Sequence, residues 1–137
     1  MRAGAEFFEE NEVATVNAEA LDYNRVYAIS DLIVTDYSSS VFDFVYMRKP
    51  IIYTQFDFED FFGGSHSVDK GYFEFERDGF GEVEYELEAT VDRIIEYMEN
   101  GCKLKDKYRE RIDNFFAFDD KNNSQRVYEM AVKHRKS

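Results

Sequence analysis

The run Asp31-Leu32-Ile33-Val34-Thr35-Asp36-Tyr37-Ser38-Ser39-Ser40-Val41-Phe42-Asp43-Phe44 changes character twice within a few residues. Leu32, Ile33 and Val34 are apolar and two of them are β-branched, the pattern of a strand covered on both faces. Thr35, Asp36 and Tyr37 end that strand. Ser38, Ser39 and Ser40 are good N-cap residues, because a hydroxyl accepts from the free N–H groups of a first helical turn. Val41, Phe42, Val45 and Tyr46 recur at helical spacing, so a helix is expected over residues 39–47. A helix that begins at the carboxyl end of a parallel strand directs its free N–H groups and positive dipole end into a ligand crevice. Serine hydroxyls at that point suit a phosphate. On the residues alone the commoner outcome is a serine-capped helix with no ligand, since the turn has no glycine pair.

Downstream, Arg48 and Lys49 suit the C-terminal end of a helix and Pro50 stops it. Ile51, Ile52, Tyr53 and Thr54 make a second buried strand. A strand–helix–strand unit of this kind implies adjacent parallel strands. Its ligand belongs beyond their carboxyl ends, where Ser38 and the segment after Thr54 fall. Residues 55–68 read as a loop with a helical turn over 57–62 and a breaker at Gly63-Gly64-Ser65. Residues 71–75 alternate apolar and polar, and residues 81–85 form a last short strand. The many carboxylates between Asp57 and Glu88 read as a solvated face.

Three helices close the chain. Leu87, Val91, Ile94, Ile95 and Met98 form one stripe, with Asn100-Gly101 as its stop. Leu104, Tyr108, Ile112, Phe115 and Phe116 form the next. Asn123 or Ser124 caps the last, with Val127, Tyr128 and Ala131 inward. Upstream, an acidic lead-in over residues 6–11 precedes a strand candidate over 13–16. A helix over 21–29 follows, with Leu21, Val26 and Ile29 inward.

Composition sets the bounds. With 137 residues, 14 Phe and 10 Tyr, the chain makes one domain with ample material for one core. The single Cys102 forms no internal disulfide, and no cysteine cluster suggests zinc, which fits a reducing, cytoplasmic setting. No run reaches the roughly 18 apolar residues of a membrane span, and the N-terminus lacks a signal-peptide pattern. A net charge of −12 disfavours nucleic-acid backbone binding. It also disfavours anionic lipid, apart from the tail Lys133-His134-Arg135-Lys136, which reads as solvated before it reads as a membrane contact. No phosphate loop of the glycine-rich kinds and no nucleophile elbow is present.

The central stretch resembles the signature of the CDP-glycerol glycerophosphotransferase family, the teichoic-acid polymerases and primases. The residues carrying the likeness are Asp31, the apolar strand, Thr35-Asp36-Tyr37-Ser38-Ser39, then Phe42, Asp43 and Phe44. Lys49-Pro50-Ile51-Ile52-Tyr53, Gly71-Tyr72-Phe73, Asp119-Asp120 and Ser124-Gln125-Arg126-Val127 fit it as well. The resemblance implies an α/β fold: a three-layer, Rossmann-like parallel sheet that is the C-terminal half of a GT-B type transferase. Residues 1–137 would then be a single, truncated nucleotide-binding domain lacking its N-terminal partner. It implies a CDP-glycerol or related CDP-polyol donor, a lipid-linked wall polymer as acceptor, and no cofactor. The full-length enzyme would be cytoplasmic and peripheral at the inner face of the membrane. Two other readings stand beside this one: a nucleotide-sugar glycosyltransferase domain of the same architecture, and a non-catalytic α/β module whose acidic mid-region binds a basic partner.

For the site, the resemblance assigns Ser38 and Ser39 to the donor diphosphate, with Ser40 beside them. Asp36 either orients the serines or caps the helix, and Asp43 sits in the first turns where a carboxylate favours the dipole. By resemblance Arg126 lies near the phosphates and counters their charge, against the plainer reading of a surface ion pair. His66, in a glycine- and serine-rich loop, is a phosphate contact or proton-transfer group, against the commoner solvent-exposed loop histidine. Asp119-Asp120 reads as a loop before a helix cap, with no third ligand at useful spacing for a metal. The family's catalytic histidines lie upstream of the signature, in segments with no counterpart here. The catalytic residues are therefore unassigned, and the isolated chain is expected to be inactive.

Overall fold

A computed structural model of the chain describes residues 22–59 and 72–135. The chain divides into two compact units, residues 1–30 and 31–137. In the first, helix α1 spans Tyr23–Ile29, with the Asp22 carboxylate accepting from the Arg25 N–H at 3.3 Å. Its buried residue is Tyr27, and Ile29 is exposed. Val26 is half-buried, and Leu21 lies outside the described residues. The strand candidate at 13–16 lies outside the described residues.

The second unit is built on a three-stranded parallel sheet in the order β1-β2-β3. The strands are β1 Ile33–Thr35, β2 Ile51–Thr54 and β3 Glu82–Glu84, and Ile33 pairs with Ile51 and Ile52 with Glu82. The first two strands are adjacent and parallel with helix α2, Val41–Tyr46, between them in the chain, as the sequence implied. The remaining helices are α3 Phe75–Asp78, α4 Leu87–Glu99, α5 Asp106–Phe115 and α6 Asn123–Lys133. The alternating stretch at 71–75 thus ends in a single helical turn, closed by Gly79 N–H donating to the Phe75 carbonyl at 2.8 Å.

Strand β2 is the one covered on both faces: Ile51, Ile52 and Tyr53 are all buried. Strand β1 is not, contrary to expectation. It is an edge of the described sheet, and Val34 is 42% exposed. The close approach of β2 to the chain entering β3 requires glycine. A Cβ on Gly81 would stand 1.9 Å from the Ile51 carbonyl oxygen, and one on Gly79 would stand 2.1 Å from that of Phe75. Around this turn the aromatic residues gather. Phe42 stacks on Phe115 at 5.6 Å and meets Phe80 edge-on at 5.9 Å, and Tyr53 meets Phe75 at 5.1 Å.

Helix α4 packs on β2 and β3, but not through the stripe read from its sequence. Thr90 and Tyr97 are buried and Ile94 is half-buried, whereas Leu87 and Met98 are 62% and 67% exposed. The cause lies in β3, whose Glu82 and Glu84 share one face. Tyr97 donates to Glu82 at 2.6 Å, Lys105 pairs with Glu82 at 2.8 Å, and Arg93 pairs with Glu84 at 2.9 Å. The helix turns its phenol and guanidinium, not its widest apolar stripe, toward those carboxylates. These two glutamates are accordingly not part of a solvated face. Asn100-Gly101 does stop the helix, in a Schellman arrangement: Gly101 has φ +73°, and the Cys102 N–H reaches the Tyr97 carbonyl at 2.7 Å.

Helix α5 buries Tyr108 and Ile112, with Leu104 just before it, as its spacing predicts, whereas Phe115 of the same stripe is 47% exposed and Phe116 half-buried. Helix α6 is capped at Asn122, one residue earlier than expected, and buries none of its residues. Val127 and Tyr128 are 69% and 70% exposed, so that stripe has no partner among the described residues.

Candidate functional site

The turn after β1 is organised by short-range hydrogen bonds. The Asp36 carboxylate accepts from the Ser38 N–H at 3.0 Å, an Asx-turn that fixes where the chain leaves the strand. The Ser38 and Ser40 hydroxyls lie 2.8 Å apart, and the Ser40 N–H points to the Ser38 hydroxyl at 3.4 Å. Ser39 accepts through its carbonyl from the Phe42 N–H at 3.2 Å, and its exposed hydroxyl has no hydrogen-bond partner among the described residues. Asp36 therefore orients the serines, one of the two roles open to it in the sequence.

The helix that follows is shorter than expected. It starts at Val41, runs six residues, and Ser40 makes no side-chain cap bond. The serines belong to a turn ahead of the helix, where the Ser38 and Ser40 hydroxyls bond each other. A helix this short has little macrodipole, so what the turn offers an anion is hydroxyl and turn N–H groups.

The turn sits at the carboxyl edge of the sheet, and the same edge continues across β2 and β3. The Tyr37 hydroxyl donates to Asp57, in the loop after β2, at 3.3 Å. Burial and the Asp57 charge push the Tyr37 phenol up to about 12, so it stays protonated and keeps donating. Beneath this bridge the Thr54 hydroxyl donates to the Thr35 carbonyl at 3.2 Å, and the Gln55 N–H donates to the Glu84 carbonyl at 2.9 Å. Beyond it a cavity of about 480 Å³ opens between the loops after β2 and β3, lined by Gln55, Asp57, Phe58, Glu59, Tyr85 and Glu86 among others. Phe58 and Tyr85 meet edge-on at 5.8 Å in its wall.

Arg126 is placed differently. It pairs with Asp120, donates to the Asn123 side chain at 2.8 Å, and lies over the Phe118 ring at 3.7 Å. That pairing, with the Asn122 N–H, holds the Asp120 carboxyl below its ordinary range. The loop is tied to α2 by the Tyr46 hydroxyl, which reaches the Phe118 and Asp120 carbonyls at 3.3 and 3.2 Å. Arg48 adds pairs to Asp113 at 2.9 Å and Asp119 at 2.7 Å. A second cavity, about 410 Å³, separates this loop from α2 and is lined by Phe42, Asp43, Tyr46, Phe118 and Asn123 among others. The structure thus brings Asp36, Ser38, Ser39 and Ser40 into one turn, and Asn123 to the same cavity as Asp43. No contact among the described residues joins Arg126 to the serines. His66 lies outside the described residues. Gln55, Asp57 and Tyr85 were not singled out from sequence, and Tyr37 stood there only within the Thr35-Asp36-Tyr37-Ser38-Ser39 motif. The advance signal for Gln55 and Asp57 was the expectation that the segment after Thr54 lies on the ligand side.

The family model for CDP-glycerol:poly(glycerophosphate) glycerophosphotransferase matches residues 2–133. Over 114 residues the chain is 41% identical to the minor teichoic acid biosynthesis protein GgaB of Bacillus subtilis, covering 80% of this chain and 12% of that protein. It is 28% identical over 112 residues to a teichoic acid poly(glycerol phosphate) polymerase of the same organism, covering 82% and 15%. It is 28% identical over 116 residues to a teichoic acid poly(ribitol-phosphate) polymerase of Bacillus spizizenii, covering 81% and 17%. The chain therefore spans less than a fifth of the length of these curated relatives. No solved structure matches it.

Proposed function

The chain belongs to the CDP-glycerol:poly(glycerophosphate) glycerophosphotransferase family, and from that premise we propose that it is the donor-binding, C-terminal half of a GT-B type transferase. The donor is a CDP-activated polyol and the acceptor a teichoic-acid-type wall polymer. An acceptor hydroxyl attacks the β-phosphate, the bond from that phosphorus to the bridging oxygen breaks, CMP leaves, and one polyol phosphate is added. The base that takes the acceptor proton comes from the rest of the protein, so residues 1–137 alone bind donor without turning it over.

The observation that carries this reading is the serine turn at the carboxyl edge of a parallel sheet, pinned by Asp36. Ligands of open α/β sheets collect at that edge. Ser39 presents a hydroxyl with no partner among the described residues to the diphosphate, and the Ser38 hydroxyl, 2.8 Å from that of Ser40, stands beside it. Hydrogen bonds aimed at oxygens whose charge grows as CMP departs lower the barrier. In the whole enzyme the domain works at the inner face of the membrane, where a lipid-linked acceptor is met. No helix among the described residues is long and apolar enough to cross a membrane.

The test is the double variant Ser38→Ala with Ser39→Ala in the full-length protein. Donor use should fall at least about tenfold, the effect of losing hydrogen bonds to a charged group. Near-normal turnover and donor affinity in a folded double variant would reduce the serines to a local turn motif.

A further inference from the structure

Resting on the donor-binding reading, we infer that the cavity between the loops after β2 and β3 receives the polyol end of the donor, with Gln55 at its base as the hydrogen-bonding residue. Gln55 is 1% exposed and lines this cavity, yet neither its Oε1 nor its Nε2 has a hydrogen-bond partner among the described residues. Buried amides are almost always paired, so an unpaired one at a cavity calls for a partner. The amide offers one acceptor and one donor face, which suits hydroxyl groups, since each of these both gives and takes a hydrogen bond. The rest of the lining selects among ligands. Asp57, Glu59 and Glu86 are carboxylates, which accept hydrogen bonds and repel phosphate. The Phe58 and Tyr85 rings supply an apolar wall for a carbon chain. A neutral, hydroxyl-rich chain satisfies all of these, whereas a diphosphate could use only the amide donor and would face three carboxylates. Tyr37 and Asp57 join the two ends of the crevice. One ligand can thus lie with its phosphates at the serine turn and its polyol at Gln55.

The experiment is calorimetric titration of the full-length protein with CMP, CDP, CDP-glycerol and CDP-ribitol, repeated on Gln55→Leu and on Glu86→Gln. The second variant changes the exposed N-cap residue of α4, whose side chain makes no cap bond and whose carbonyl the substitution leaves in place. In both variants the CDP-polyols should bind more weakly, by about tenfold for Gln55→Leu, while CMP and CDP bind as before. Equal weakening of CMP or CDP would overturn the inference by assigning the cavity to the base or the phosphates. Unchanged binding of all four ligands would overturn it too, leaving the donor-binding reading intact. Failure of the unaltered protein to bind any of them would sink that reading itself, and this inference with it.

Discussion

The loops after β1 and β2 leave the same sheet edge from neighbouring strands, yet offer opposite chemistry. The first is a hydroxyl turn, exposed and held together by its own short hydrogen bonds, with Asp36 engaged in holding its backbone. The second is acidic and aromatic over a buried amide that has no partner among the described residues. The first therefore suits an anion and the second a neutral hydroxylated chain. A crevice that sorts charge along its length imposes one orientation on a ligand carrying both kinds of group. Among the described residues, the hydrogen bond from Tyr37 to Asp57 ties the two loops together.

The largest expected effect removes the frame on which both loops stand. Gly81→Ala drives a Cβ to 1.9 Å from the Ile51 carbonyl oxygen, between β2 and β3. Neither backbone can yield without parting the strands. Denaturant titration should show a loss of at least about 4 kcal/mol, in the exceptional range for a point change. A variant of normal stability would mean that the two loops are not fixed by this strand pairing.

Next comes Phe44→Ala in α2, directly after the serine turn. Phe44 is fully buried, and truncating such a residue costs about 3–5 kcal/mol. The surviving folded fraction should lose CDP affinity while the Phe58–Tyr85 contact persists in a crystal structure of the variant.

Tyr37→Phe cuts the tie itself. It should cost only about 0.5–1.5 kcal/mol of stability, but it should weaken CDP-polyols more than CMP, because only the longer ligands engage both loops. The same phenol fixes the pH response. Its pKa is raised from 10.0 to about 12, so its contribution is complete below pH 10.0 and is lost as pH climbs toward 12. Tyrosinate absorbance should show this phenol ionising late in the folded protein, and the tie should be insensitive to pH around neutrality.

The smallest effect belongs to Arg126, already engaged with Asp120 and Asn123. Arg126→Ala should loosen the loop before α6 and change donor affinity by less than about threefold, as befits an exposed ion pair. A loss as large as that of the serine variant would show that Arg126 leaves Asp120 to meet the phosphates.

Much of this was legible in the residues. Ile51, Ile52 and Tyr53 after a proline stop, and the strand–helix–strand spacing, gave parallel neighbours because burial on both faces leaves a continuous apolar run. That Asp36 orients the turn was legible because its bond to the Ser38 N–H is local, whereas the expected serine cap does not form: Ser40 makes no side-chain cap bond. What was not legible depends on long-range partners. Val34 carries the same apolar signature as Ile52, and only its edge position exposes it. The stripe on α4 was misread because periodicity assumes an apolar counter-surface, and β3 presents Glu82 and Glu84 instead. Gln55 looked like an ordinary loop residue, since nothing in its local sequence marks the burial it has in the fold. Leu87 and Met98 on α4, and Val127 and Tyr128 on α6, accordingly stand exposed.

The central claim is that the serine turn holds the donor's diphosphate, and a crystal structure of the full-length protein with CDP bound addresses it most directly. The account predicts diphosphate oxygens within hydrogen-bond reach of the Ser38 or Ser39 hydroxyl, with the nucleotide lying along the carboxyl edge of the sheet. A diphosphate seated in the cavity between α2 and the loop at Phe118, beyond reach of both serines, would contradict it.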